Sequence, residues 1–236
     1  MNDSALSGAL AALEETADRP SGFCEPFLTL FPVSGASVST LGDLLGTETL
    51  SASDEVAARV DELQFDLGEG PCWDALNLAR PVLEPDLRGQ ADGRWPAFSA
   101  AIADQRVSSL FAFPLLVGPL RIGAVDLYSA EAVEFSTASA RQASVLADAV
   151  GRLILRLALE EVGGESERTG NAFSRRLVHQ ATGMVIAQLR ISAADAQLII
   201  QGHAFATGSS MMEVARRIVD ADLAFIQGEH GIEVQP

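Results

Sequence analysis

The side chains able to do chemistry in this chain are few and widely spaced. The segment RRLVHQATGM at 175–184 sets Arg175, Arg176, His179 and Gln180 beside a small step, Ala181-Thr182-Gly183. Arginine reaches phosphates or stacks on bases, an amide reads base edges, and a glycine allows close approach, so the set suits folded RNA. It equally suits a solvated bundle face, with His179 covering a neighbouring helix. Cys72 follows Pro71 in GEGPCW, where a thiol is either a small buried hydrophobe or a nucleophile poised at a helix N-terminus. No nucleophile–His–Asp set can be assembled around it, since the first histidine in the chain is His179. GEGPCW is followed by no Lys-Ser/Thr, so it is not a phosphate loop. His179, His203 and His230 have no metal-ligand spacing with the cysteines or with each other. These absences predict a protein that is not an enzyme, with no metal and no identifiable cofactor.

Charge divides the chain. Residues 1–162 carry 10 Arg against 24 Asp and Glu, whereas residues 171–227 carry 5 Arg against 4 acids. The front portion repels polyanions at long range, and the back portion does not. All 16 basic residues are arginine, which we read as coding bias. With only Cys24 and Cys72, a disulfide framework is not expected and a reduced cytoplasm is the default. No apolar run approaches the ~20 residues of a membrane span, and the acidic, alanine-rich N-terminus lacks the basic start of a signal peptide.

Elements that position these groups follow from periodicity. Leu6, Leu10 and Leu13 mark a short helix before Arg19-Pro20. Residues 33–52 read as two strands joined near Gly42-Asp43, and 54–67 as a helix striped by Val56, Val60, Leu63 and Leu67. A short helix follows GEGPCW, then a brief strand at 81–83 and a helix at 94–104. VSSLFAFPLL and LRIGAVDLYS form a hairpin about Val117-Gly118-Pro119, dense enough in apolar residues to be covered on both faces. Ser136 caps a helix running to about 161, on which Ala143, Leu146, Val150, Leu153 and Leu157 recur at 3-4-3-4 spacing. That seam either pairs two copies or covers the chain's own sheet; pairing is the expectation, because the helix overhangs ordinary strands. After a linker come three helices: about 172–190, one opening at Ser192 and stopping at Gly208, and one from Ser210 to about Gln227. On the first, Leu177, Ala181, Met184, Val185 and Leu189 form the predicted inner stripe, leaving Arg176, His179, Gln180, Gly183 and Ala187 outward. The inner positions of the other two are Ala196, Ile200 and Ala204, then Val214, Ile218 and Leu223.

LGEGPCWDAL at 67–76, DLRGQADGRWPAF at 86–98, SLFAFPLLVGPLRIGAVDLYS at 109–129 and the helix after them resemble a GAF domain, a small-molecule sensor fold. HQATGMV at 179–185, the Ser192 start, Ala196 and Ala204, and MEVARRIV at 212–219 resemble the ANTAR domain, an RNA-binding module of antitermination regulators. The pair looks like a family of actinobacterial cytoplasmic regulators. The expected class is α+β: a GAF-like antiparallel sheet flanked by helices, a long connecting helix, and a three-helix ANTAR bundle. The expected boundaries are an N-terminal helix at 1–18, the sensor at 20–158, a linker at 159–170, the bundle at 171–227 and a tail at 228–236.

The resemblance implies that an unknown small molecule, if any, sits between sheet and helices. Candidate walls are Phe113, Leu115, Asp126 and Tyr128 from the hairpin, with Cys72, Trp73, Asp86, Arg94 and Trp95 from the preceding segment. Each has a plainer role open to it: Asp86 with Arg94 as a salt bridge, Trp95 as a core plug. The ANTAR resemblance implies a dimer whose paired bundles each hold one of two adjacent RNA hairpins and so block a terminator; the copies are expected to join through helix 137–161 and the N-terminal helix. Arg175, Arg176, His179, Gln180, Thr182, Gly183 and Gln201 are the candidate contacts; neither DNA nor a membrane is an expected partner. Thr182 stands where the pattern most often has Lys, and Ile199, Gln201 and Ser209 stand where basic residues are common, so phosphate contacts are fewer. A bundle that docks protein instead of RNA is the alternative. Some free-standing GAF domains are methionine sulfoxide reductases that use several cysteines, but here Cys72 has only Cys24 as a partner.

Overall fold

The computed structural model describes residues 3–42, 44–89, 93–162, 175–228 and 231–235. The chain divides into two compact units, Met1–Phe173 and Ser174–Pro236. Of the expected linker at 159–170, residues 159–162 continue the long helix that precedes it, and 163–170 lie outside the described residues.

Five antiparallel strands make the sheet of the first unit: β1 (Gly35–Thr40), β2 (Glu48–Ala52), β3 (Val82–Glu84), β4 (Ser109–Val117) and β5 (Leu120–Ser129), in the order β2-β1-β5-β4-β3. The β4–β5 hairpin turns at Gly118, whose φ of +59° a residue with a side chain rarely adopts. Side chains alternate along each strand, so β4 and β5 feed two separate cores. Phe111, Phe113, Leu115, Val125 and Leu127 enter one, and Leu110, Ala112, Ala124 and Tyr128 enter the other.

The first core is roofed by α1 (Asp3–Glu15), α2 (Glu25–Leu30) and α6 (Thr137–Val162). α2 was not anticipated from the pattern; Pro26 at its start and buried Phe27 and Leu30 define it. The seam expected to pair two copies is covered within the chain instead: Ala143, Leu146, Val150 and Leu153 are buried in the first core against its own sheet. Phe111, Phe113 and Leu115 offer α6 an unbroken apolar floor, and each large side chain buried there contributes roughly 1.5–3 kcal/mol. α1 is spent the same way, with Ala9 and Leu13 in that core.

α3 (Glu55–Leu67), α4 (Pro71–Leu78) and α5 (Pro96–Ile102) cover the other face. Asp54 caps α3, its side chain accepting the N–H of Ala57 at 2.9 Å.

In the second unit, α7 (Arg176–Leu189), α8 (Ala193–Thr207) and α9 (Met211–Val219) form the expected bundle. Ser192 caps α8, and Ser210 with Glu213 makes a full capping box on α9. Val178, Ala181, Val185 and Leu189 fill the α7 side of its core, with Leu177 and Met184 half-buried. Ala196, Ile200, Ala204, Val214, Ile218 and Leu223 are buried as predicted. The third helix is shorter than predicted. It ends at Val219, Ala221 takes a φ of +63°, and the chain continues as a hairpin of β6 (Ala224–Gly228) and β7 (Gly231–Gln235). Acidic Asp220 and Asp222 flank the break, and Phe225 then enters the core while its N–H donates to Gln188 Oε1 at 3.0 Å. The Phe-Ile pair suits a strand better than another helical turn.

Candidate functional site

Helical spacing puts Arg176, Gln180, Gly183 and Ala187 on one outward line of α7, with His179 beside them, and all five are exposed. A side chain at Gly183 would meet nothing within 4 Å, so that part of the face is smooth and open. The remaining candidates lie differently. Arg175 occupies the position before α7 and is only 3% exposed, so it is not part of an open basic face. Thr182 is half-buried and donates its hydroxyl to Val178 O at 2.8 Å, a backbone bond that commits its proton. Gln201 is half-buried on α8. Arg190 is exposed at the far end of α7, about 21 Å from Arg176 at the helical rise. Arg216 and Arg217 are exposed in the last turn of α9. The face therefore offers one cation, one imidazole and one amide around a glycine, which fits a hydrogen-bonding and stacking contact better than broad phosphate neutralisation. His203 faces elsewhere: its ring meets Phe225 edge-on at 5.6 Å, and burial with nearby Arg217 holds its pKa below the usual histidine value.

The sensor candidates divide between the two sides of the sheet. Cys72, Trp95 and Tyr128 lie in the core under α3, α4 and α5, with Trp73 packed at its edge. Asp126 opens toward the same side through its bond to α3. Phe113 and Leu115 lie in the opposite core beneath α6, so they share no pocket with the others. Strand alternation is the reason: Asp126 and Tyr128 share one face of β5, and the register Phe113↔Val125 turns Phe113 to the other. Arg94 pairs with Glu84 at 2.5 Å, not with the expected Asp86, and lies 4.6 Å from the Trp95 ring centre. Asp86 accepts the N–H of Gly89 at 2.9 Å in its own turn. Trp95 is a core plug whose Nε1 donates to Asp74 Oδ2 at 3.1 Å.

The buried polar centre of this half was not foreseen. Gln64, wholly buried on α3, donates from Nε2 to Asp126 Oδ2 at 2.7 Å and accepts the Cys72 N–H on Oε1 at 2.8 Å. The backbone carbonyl of Gln64 accepts Trp73 Nε1–H at 2.7 Å. A side chain at Gly70 would run into Gln64 at 2.6 Å, which explains a glycine at that point of GEGPCW. One turn earlier, Asp61 accepts Ser39 Oγ at 2.6 Å and Thr49 Oγ1. Burial and the neighbouring Asp61 charge push Asp126 up to about 8, against the pull of the Gln64 bond, so it is protonated at neutral pH. Its Oδ1 has no hydrogen-bond partner among the described residues. Tyr128 donates to Asp54 Oδ1 at 3.1 Å, and burial together with that carboxylate pushes the phenol up to about 12. The signal for this centre was present in the sequence: Asp61 and Gln64 stand three apart, bordering the apolar stripe of α3.

Both cysteines are buried, in separate cores. Cys72 is 2% exposed, and Cys24 lies in the other core, across the sheet. Burial pushes the Cys24 thiol up to about 12, although Ser51 donates to its sulfur at 3.1 Å. No group of three or more metal-ligating side chains occurs among the described residues.

Residues 4–155 match the GAF domain, and residues 172–219 match the ANTAR domain. The chain belongs to the GAF family and carries an ANTAR domain behind its sensor. The GAF fold of the first unit is also that of solved structures. One is the GAF domain of a phosphoenolpyruvate-protein phosphotransferase from Acinetobacter, 11% identical with a TM-score of 0.51, over 72% of this chain and 96% of that one. Another is the GAF domain of a phosphoenolpyruvate-protein phosphotransferase from Coxiella burnetii, 12% identical with a TM-score of 0.50, over 69% of this chain and 99% of that one. The chromophore-binding domain of a bacteriophytochrome from R. palustris is 11% identical with a TM-score of 0.50, over 67% and 61%. At such identities the likeness concerns the fold alone. No curated protein matches the chain. No single described helix is long and apolar enough to cross a membrane.

Proposed function

We propose that this GAF–ANTAR protein is a dimeric, cytoplasmic, signal-responsive regulator that holds paired RNA hairpins and thereby prevents transcription termination. The observation that carries the reading is the open strip of α7 within the ANTAR domain, where Arg176, His179 and Gln180 surround the unobstructed Gly183. A hairpin loop approaching Gly183 meets an amide for base edges and a guanidinium for phosphate or stacking. The acidic sensor repels RNA, which leaves binding to the near-neutral ANTAR unit. A signal, in this reading, is a small molecule or a change in protonation acting on the side of the sensor that holds Cys72, Trp73, Trp95, Asp126 and Tyr128. Neither half acts as an enzyme; the deep burial of both thiols supports this. Titration with an RNA of two adjacent hairpins, at several salt concentrations, tests the proposal. Binding no tighter than to a scrambled RNA of equal length removes it.

A second reading has its own support. Burial of Arg175 and the separation of Arg176 from Arg190 leave the positive charge of the ANTAR unit dispersed, as suits a bundle that docks protein. Binding to the hairpin RNA, lost on Arg176→Ala, decides against it.

A further inference from the structure

The start of α4 hangs on one amide. Pro71 has no N–H, so Cys72 supplies the first of that helix, and Gln64 Oε1 accepts it at 2.8 Å. The other end of the amide donates to Asp126 Oδ2 at 2.7 Å, while Asp126 Oδ1 has no hydrogen-bond partner among the described residues. The turn from α3 into α4 is Gly68-Glu69-Gly70, whose two glycines take φ of +65° and +137°. Such a turn bends without the resistance of side chains on either side. The charge that bears on Asp126 is Asp61, on α3; the arginine of that helix, Arg59, pairs with Glu62 at 2.5 Å. α4 brings only Asp74, which accepts Trp95 Nε1–H. β1 and β4, which flank β5, carry no charged residue, and neither does α5. On β5 itself Arg121 is exposed and Tyr128 donates to Asp54. Without its proton, Asp126 would therefore be a buried anion beside another, with one oxygen lacking a donor. Water relieves such a state, and it enters where least is given up. β1 and β4 are each paired on both edges, whereas the first turn of α4 yields by giving up the Gln64 bond and the burial of Cys72.

We propose that Gln64, Asp126 and Cys72 form a proton-operated latch: the first turn of α4 is held to α3 while Asp126 keeps its proton, and swings out on Gly68 and Gly70 as Asp126 ionises. The latch specifies the regulation within the function proposed above, a change in protonation read by the sensor, and it rests on that reading for its effect on RNA. The sign follows from the two environments of Asp126. Closed, burial and the Asp61 charge hold its proton up to about 8. Opened to water, it takes the ordinary aspartate value of about 4. Between those values the open form binds fewer protons, so the open fraction grows by about tenfold per pH unit and levels off above 8. Opening and ionisation are one event.

The test is the alkylation rate of Cys72 in the full folded chain, divided at each pH by its rate in the urea-unfolded chain, with the label located by peptide mass. This opening ratio is expected to rise about tenfold per unit between about pH 6 and pH 8, and to level off above. It is expected to stay the same in low urea, because freeing one turn exposes little surface. Asp126→Asn, which has no proton to lose, is expected to give a ratio independent of pH. Asp61→Asn is the second variant: with the neighbouring charge gone, Asp126 holds its proton less tightly, so the ratio levels off at lower pH. Circular dichroism verifies that both variants fold. A ratio independent of pH in the parent overturns the proposal, as does one that climbs with urea as steeply as global unfolding. So does the same pH dependence in Asp126→Asn, or a plateau that Asp61→Asn leaves in place. Hairpin-RNA affinity is measured on the parent and Asp126→Asn at pH 8, and equal values overturn the latch as the signal. Opening in a protein that binds no hairpin RNA refutes the RNA reading alone, and RNA binding with a Cys72 that never opens refutes the latch alone.

Discussion

Gln64 and Asp126 meet at 2.7 Å between α3 and the sheet, and the other end of the same amide accepts the Cys72 N–H, the first of α4. One side chain thus ties the protonation of a strand residue to the position of a helix. In charged form Asp126 would be a second buried anion beside Asp61, and burial together with that neighbour keeps it protonated up to about pH 8. The geometry makes the sensor half sensitive to anything that alters this one carboxyl group.

Asp126→Asn is expected to stabilise the protein at neutral and alkaline pH. The folded protein holds the Asp126 proton up to about 8, whereas the unfolded chain loses it near the ordinary aspartate value of about 4. Between those values the native state binds more protons than the unfolded one, so this group's contribution makes stability fall as pH rises, levelling above 8. Asparagine keeps an acceptor for Gln64 and carries no charge, which removes that fall. A gain of order a few kcal/mol near pH 8, vanishing near pH 4, is expected from urea unfolding across the range. A parallel pH profile in the variant and parent would refute it.

Gln64→Met tests the hub. Methionine fills a similar volume and cannot serve Asp126 or the Cys72 N–H, both of which lie out of reach of water. Leaving two buried groups unsatisfied is expected to cost about 2–4 kcal/mol, read as a lower urea midpoint at unchanged slope. Because the lost bond is one that lowers the Asp126 pKa, the same variant is expected to shift its titration upward. A midpoint within error of the parent would show that the amide does not hold this centre together.

Much of this was readable in advance, and the failures have physical causes. The β4–β5 hairpin was legible because dense apolar strands bracket Val117-Gly118-Pro119, and α8 and α9 because Ser192, Gly208 and Ser210 mark their ends. The outward strip of α7 followed from helical phase alone. Phase could not say what covers a stripe: Ala143, Leu146, Val150 and Leu153 fit a partner helix as well as a sheet, and the sheet took them. Phe113 and Leu115 were grouped with Asp126 because they share a hairpin, whereas strand alternation separates them. The end of α9 was missed because Leu223 is apolar and buried like Val214 and Ile218, although its step of five from Ile218 breaks the helical repeat and it belongs to a turn that leads into β6. The Gln64 centre went unseen because Asp61 and Gln64 mark only its helix side, whereas the strand partner Asp126, 62 residues from Gln64, adds nothing to that local pattern.

Leu146→Ala separates the two roles once open to the α6 seam. Leu146 is fully buried against the chain's own sheet, so its truncation is expected to destabilise by about 2–5 kcal/mol. The association of copies is expected to stay as in the parent, measured by sedimentation at several concentrations below the unfolding temperature. Loss of association without loss of stability would mean that the seam faces a partner.

Gly183→Leu is the sharpest probe of the α7 face, because it separates binding from folding. Gly183 lies mid-helix on the exposed side, and a side chain there meets nothing within 4 Å. Replacing glycine by leucine in an exposed helix interior favours the helix by up to about 1 kcal/mol, so the thermal midpoint should hold or rise slightly. If a hairpin loop must come close to the backbone at this point, the added side chain blocks it, and affinity should fall by about tenfold or more with little change in the salt dependence. Arg176→Ala gives the complementary signature. It removes one phosphate contact, so binding should weaken and the slope of log affinity against log salt should flatten by about one. The two variants together distinguish a shape contact from a charge contact on adjacent turns of one helix. If neither substitution changes RNA affinity while both fold, the outward strip of α7 is not where RNA is held.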